Sequence, residues 1–288
     1  MKTSKKWGTT SIIQQAFKRV ATKRTVDGTA YEVIGHVDHP SLVLIHGLGL
    51  CRHIFDDFIE AWSKDYQLIL YDLYGHGESA PPPETASLKV YSDQIAHLLD
   101  HLNIQTASLI GFSIGGMINR RFAFDHGERL DNLVILNSPH DRGEEAQLAV
   151  EERAAKVREE GPTATLDAAL KRWFTPEYLN AGDGVAKVRA WRDLADAESY
   201  AQAAWVLANG VRELINPEPP ITKPTLVMTC ENDTGSNPQM SHDIAAEIAG
   251  SETIIVDHLQ HLGLMERPDL FIEPVLEFLK SNNALRIA

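Results

Sequence analysis

Short apolar runs recur along this chain at Leu42–Ile45, Gln67–Tyr71, Ala107–Phe112, Leu133–Leu136, Thr225–Thr229 and Thr253–Val256. Each is nearly continuous in apolar character instead of alternating, which is how a strand reads when helices cover both of its faces. Segments of helical period lie between them, and that alternation predicts a parallel sheet covered by helices. One such helix starts at Ser87, whose hydroxyl suits a helix cap, and carries the apolar stripe Leu88, Tyr91, Ile95, Leu98, Leu99 and Leu102. Ahead of the first run, Arg24–Val26 and Tyr31–Ile34 flank Asp27-Gly28, a hairpin signal. The prediction is an α/β fold with a mostly parallel, eight-stranded sheet that begins with an antiparallel pair.

The alternation stops after Pro139. From 140 to 216 the sequence is rich in Ala and charged residues and is helical in character. The strand pattern resumes at Ile221, after Pro217, Pro219 and Pro220. The organisation expected is therefore a core in two parts, 1–139 and 217–288, interrupted by a helical insertion over 140–216. Pro81–Pro83 marks a stiff exposed loop, and Pro274 predicts a kink or a late start in the last helix.

Composition narrows the partners more than the fold. The 27 Lys and Arg residues against 40 Asp and Glu give a net charge of −13, a field that repels nucleic acid. The locally basic stretch Lys2–Arg24 reads as a solvated tail. No apolar run approaches the length of a membrane span, and the first residues lack a signal-peptide pattern, so a cytoplasmic location is expected. Cys51 and Cys230 cannot make a disulfide framework and lack metal-ligand spacing.

The chemistry is concentrated in loops after the apolar runs. Gly111-Phe112-Ser113-Ile114-Gly115-Gly116 follows one run and precedes the amphipathic segment Met117–Phe124. In that strand–turn–helix setting a serine sits on a tight turn with its hydroxyl exposed, and the following Ile114 N–H can face a developing oxyanion. A second oxyanion donor is expected from His46-Gly47-Leu48-Gly49, with Leu48 N–H preferred and His46 read as a structural residue bracing the loop. Sites of this kind order their residues as Ser, acid, His along the chain. The base is thus His261, preferred over His258. The acid is Asp233, with Glu231 its nearest rival and Asp141 a more distant one. Trp173, Trp191 and Trp205 in the insertion are candidate linings of an apolar substrate pocket. Arg172 is a candidate partner for a substrate carboxylate.

These motifs, together with Asp72-Leu73-Tyr74-Gly75-His76-Gly77-Glu78-Ser79 and Glu266-Arg267-Pro268, resemble those of the α/β-hydrolase superfamily over nearly the whole chain. The loop Gly47-Leu48-Gly49, the segment Arg172-Trp173-Phe174-Thr175-Pro176-Glu177 and Asp233-Thr234-Gly235-Ser236 are most similar to the group of 3-oxoadipate enol-lactonases and related carboxylesterases. The resemblance implies a helical cap over the serine and two-step acyl transfer on a small, largely apolar ester or lactone, with no cofactor and no metal. Homodimers are common in such families. Tyr74 stands where these proteins commonly carry Arg, a departure expected to alter packing near the site entrance. Two other readings are carried alongside: carbon–carbon bond hydrolysis of aromatic ring-cleavage products, against which Leu262 after the base counts, and a non-catalytic ligand receptor on the same fold. A cofactor-free haloperoxidase-like activity uses the same triad, whereas halide displacement needs a carboxylate at position 113.

Overall fold

The computed structural model describes residues 21–287; most of the basic stretch Lys2–Arg24 lies outside them. An eight-stranded sheet runs through the molecule in the order β1-β2-β4-β3-β5-β6-β7-β8. The strands are β1 (Lys23–Arg24), β2 (Ala30–Ile34), β3 (Ser41–Ile45), β4 (Gln67–Tyr71), β5 (Ala107–Phe112), β6 (Leu130–Leu136), β7 (Thr225–Cys230) and β8 (Glu252–Val256). β1 and β2 are antiparallel, as are β2 and β4, and the remaining pairs are parallel.

The first hairpin is tighter on its leading arm than the sequence suggests. Thr25 N–H donates to the Thr29 carbonyl, and Asp27 Oδ1 accepts from Thr29 N–H at 3.3 Å. The turn therefore consumes Thr25 and Val26, and β1 ends at Arg24 instead of continuing to Val26. Val26 is left fully exposed.

Successive residues of a strand point to opposite faces, and the core follows that rule. Val43, Ile45, Ile69 and Tyr71 pack on one face with Ile95 and Leu99 of α2 (Leu88–His101) and Ile118 of α3 (Ile114–Asp125). Leu42, Leu44, Leu68 and Leu70 pack on the other with Trp62 of α1 (Ile59–Trp62) and with Phe271 and Leu279 of the last helix. Each of these large side chains contributes about 1.5–3 kcal/mol by leaving water. Ser87 caps α2 by accepting from Val90 N–H at 3.2 Å.

Helices fill the chain between β6 and β7: α4 (Glu144–Glu160), α5 (Leu166–Trp173), α6 (Pro176–Ala181), α7 (Asp183–Asp193) and α8 (Ala197–Asn209). They cover the carboxyl ends of the strands. α4 and α8 share a small apolar seam of their own, built from Ala154, Val157, Tyr200, Ala201, Ala204 and Ala208. The chain closes with α9 (Pro238–Ala246), α10 (Gly263–Glu266) and α11 (Asp269–Ile287). α11 starts before Pro274 and runs through it, so the late start expected there does not occur. Among the described residues, no helix is long and apolar enough to cross a membrane.

Candidate active site

The loops that follow β3, β5, β7 and β8 meet at one end of the sheet because those strands run parallel. Ser113 sits between β5 and α3 with φ 58° and ψ −117°, a backbone conformation that costs a non-glycine residue about 1–3 kcal/mol. Its own N–H donates to Leu136 O at 2.9 Å, and its carbonyl accepts from Gly116 N–H at 2.9 Å, which pins the turn. Glycine is required on both sides. A Cβ on Gly111 would lie 2.1 Å from the Gly115 carbonyl oxygen, and one on Gly115 would lie 2.4 Å from that of Ile45. The second contact brings the start of α3 against the end of β3, and so against the loop Gly47–Gly49.

His261 Nδ1–H donates to Asp233 Oδ2 at 2.6 Å. Nε2 is then free to accept from the Ser113 hydroxyl, 3.2 Å away. Asp233 is buried and also accepts from Asn137 Nδ2 (2.9 Å), Gly235 N–H (2.9 Å) and Ser236 N–H (3.0 Å). Burial alone would raise its pKa. The charge and hydrogen bond of His261, with Asn137 and the Ser236 amide, outweigh burial and hold the carboxyl below its ordinary value. The imidazole is flanked by the rings of Phe112, 5.0 Å centroid to centroid, and Trp173, 6.0 Å.

The rival residues lie elsewhere. His258 is exposed beside Glu231, whose carboxylate accepts the His258 N–H at 2.9 Å. Asp141 caps its own turn by accepting from Gly143 N–H. His46 is fully buried; its Nδ1–H donates to Gly47 O at 2.8 Å and its Nε2 accepts from Leu73 N–H at 3.0 Å. Burial, chiefly, pulls its pKa down to about 4, so it braces the loop as a neutral ring. Leu48 lines the same cavity as Ser113. Ile114 opens α3, so its N–H has no partner within its own helix.

The insertion supplies the other wall, with two corrections. Trp173 and Arg172 line the cavity. Trp191 does not, packing instead against the core beneath the cap. Trp205 does not either: it is 51% exposed, because Ala204 and Leu207 are the residues of α8 that face inward. Tyr74 is a third correction. It is buried and does not line the cavity, and its hydroxyl donates to Asp27 Oδ2 at 2.6 Å in the first hairpin. Sequence reasoning missed Asn137 and the cavity-lining arginines Arg142, Arg153 and Arg192. Asn137 had one signal, its position directly after an apolar run; the arginines had none, since helical period alone does not say which face meets the core. Among the described residues, no group of His, Cys, Asp or Glu is placed to hold a metal ion.

Residues 40–268 match the model of the alpha/beta hydrolase fold family. Over 93% of this chain and 98% of the relative, the sequence is 30% identical to 3-oxoadipate enol-lactonase 2 of Acinetobacter baylyi. It is 25% identical to (E)-2-((N-methylformamido)methylene)succinate hydrolase of the same species, over 79% of this chain and 86% of the other. Among solved structures, the enol-lactonase from Burkholderia xenovorans LB400 superposes with a TM-score of 0.80 at 28% identity, covering 88% of this chain and 96% of that one.

Proposed function

The chain belongs to the α/β-hydrolase family, and we propose that it is a serine hydrolase cleaving carboxylic esters or lactones. The observation that carries this reading is the unbroken hydrogen-bonded line from Ser113 through His261 to Asp233 at the floor of a cavity. The similarity to an enol-lactonase at 30% identity supports the same chemistry.

Each residue has a distinct part. His261 Nε2 takes the Ser113 proton as Oγ forms a bond to the ester carbonyl carbon. The negative charge that develops on the carbonyl oxygen is met by the Leu48 and Ile114 N–H groups. His261 then gives the proton to the leaving alkoxide as the C–O bond breaks, leaving an acyl-Ser113. A water molecule, deprotonated by the same Nε2, attacks that acyl group and releases the acid. Asp233 stays ionised throughout, fixes the Nδ1–H tautomer and stabilises the imidazolium.

The test is turnover of short p-nitrophenyl esters, an enol-lactone and a ring-cleavage dienone by the chain and its Ser113→Ala variant. Ester or lactone turnover that falls by about a millionfold in Ser113→Ala is the expected outcome. A dienone preferred over both would move the chemistry to carbon–carbon cleavage. Turnover unchanged by Ser113→Ala would sink the reading.

A further inference from the structure

The motif Glu266-Arg267-Pro268 has no part in the triad, yet its glutamate reaches out of the core and into the cap. Arg267 pairs with Asp269 at 2.9 and 2.6 Å, and Glu266 gives both of its carboxylate oxygens to one cap residue, Thr175. Oε1 accepts from Thr175 N–H at 2.8 Å, and Oε2 accepts from the Thr175 hydroxyl at 2.6 Å. Thr175 lies in the turn between α5 and α6, and its Oγ1 accepts from Tyr178 N–H at 3.3 Å to cap α6. The hydroxyl therefore has its one proton to give to Glu266. Hydrogen bonds to an ionised carboxylate are about twice as strong as neutral ones.

The same cap turn holds the chain that follows the base. Leu262 N–H, the amide directly after His261, donates to Trp173 O at 2.8 Å. The Tyr178 hydroxyl donates to Met265 O at 3.3 Å, and the Trp173 ring lies 6.0 Å from the imidazole. Before the base the anchor belongs to the core: Asn232 N–H donates to Leu259 O at 3.0 Å. His261 is thus held by a core contact on one side and by cap contacts on the other. It has little slack, because Nε2 stands 3.2 Å from Ser113 Oγ, at the far end of useful hydrogen-bond reach. Misplacement by about 1 Å in such a site costs about 100-fold in rate.

Resting on the hydrolase reading above, we infer that Glu266 is a positioning residue for the base. Through Thr175 it locks the α5–α6 turn of the cap onto the loop of His261, so that the cap supports the imidazole as well as covering the serine. Glu266 touches neither substrate nor the reacting atoms; it acts through the Thr175 turn, the Trp173 carbonyl and the Leu262 amide. The α5–α6 part of the cap is then a fixed part of the catalytic apparatus, and moving it off the loop costs turnover.

The experiment measures kcat and KM for p-nitrophenyl butyrate, and the rate at which a fluorophosphonate labels Ser113, in the parent chain and in variants shown by circular dichroism to be folded. Glu266→Ala is expected to lower kcat and the labelling rate by about 10- to 100-fold, with KM changed by less than about threefold. Thr175→Val removes one hydroxyl, should lower both rates by about 10-fold, and decides the matter if Glu266→Ala does not fold. Thr175→Ser keeps the hydroxyl and should retain most of the rate. Gln202→Leu is the control: it breaks a different tie between cap and core, the bond that Gln202 Oε1 accepts from Ala86 N–H at 2.8 Å, and should lower Tm without lowering kcat. Rates equal to the parent's in Glu266→Ala and Thr175→Val, or a rise in KM with kcat unchanged, overturn the inference and leave the hydrolase intact. A loss in Thr175→Ser or Gln202→Leu as large as that in Thr175→Val does the same. A parent chain that neither hydrolyses the ester nor takes up the label sinks the hydrolase reading and, with it, the inference.

Discussion

Two buried arginines, one in the core and one in the cap, are treated in opposite ways. Arg52, 2% exposed, lies where β2 and β4 meet the loop after β3. Its Nε donates to Glu32 (3.0 Å), Nη1 pairs with Asp72, and Nη2 donates to Thr22 (2.7 Å) and Glu78 (2.5 Å). Burial works against its charge, but the surrounding carboxylates more than offset that and raise its pKa. Arg192, equally buried, has no acid beside it and is lowered by burial. Asp233 belongs with the core pattern, because four donors answer its charge. A buried donor left without a partner costs about 1–3 kcal/mol, so Arg52 is answered on every side while Arg192 keeps Nε and Nη2 buried without a partner.

The largest test of that contrast is Asp233→Asn. It keeps the shape but cannot hold the Nδ1–H tautomer, and kcat is expected to fall about 10⁴-fold in ester assays while the fold persists. Next comes Arg52→Met, which leaves Glu32 and Asp72 buried without their cation. Chemical denaturation should show a loss of about 3–5 kcal/mol. A smaller effect is set by pH. His76 is buried, and mainly for that reason its pKa is lowered to about 3, with His46 5.3 Å away at about 4. Above pH ~6.5 both are neutral whether folded or unfolded and the linkage costs nothing; below it the unfolded chain gains protons that the folded chain refuses. Stability should therefore fall as pH drops from 6.5 towards 4, by about 1.4 kcal/mol per pH unit for each histidine, and His76→Asn should roughly halve the slope. The smallest effect is expected from Arg192→Met. Losing its contacts with Tyr200 and Trp173 offsets the relief of an unpaired charge, so stability should move by no more than about 1 kcal/mol. A loss as large as that of Arg52→Met would show that the two arginines play the same structural role.

Much of the sheet was legible because strands buried on both faces must be apolar throughout. Gln67–Tyr71 and Ala107–Phe112 were read with the bounds they have, and the ends of the others shift by a few residues at most. β1 was misplaced because the Thr25–Thr29 turn takes residues that a two-residue hairpin would have left in the strand. The cap was legible as helices but not as surfaces. Trp205 and Leu207 lie two positions apart on α8, and only packing against α4 turns the second inward and leaves the first in solvent.

By itself, then, the sequence determined the α/β fold class and the local chemistry: a serine between glycines that only a tight turn requires, and an acid and a histidine directly after later strands. Those are short-range features, written in a handful of neighbouring residues. Only the tertiary structure decided that Asp233 lies beside Asn137, that Gly49 packs closely against a guanidinium from α7, and that four arginines spread from Arg142 to Arg192 share one cavity. The physical reason is that such neighbours come from strand order and from which helix face is buried. Both are set by the packing of the whole chain, which no local pattern encodes.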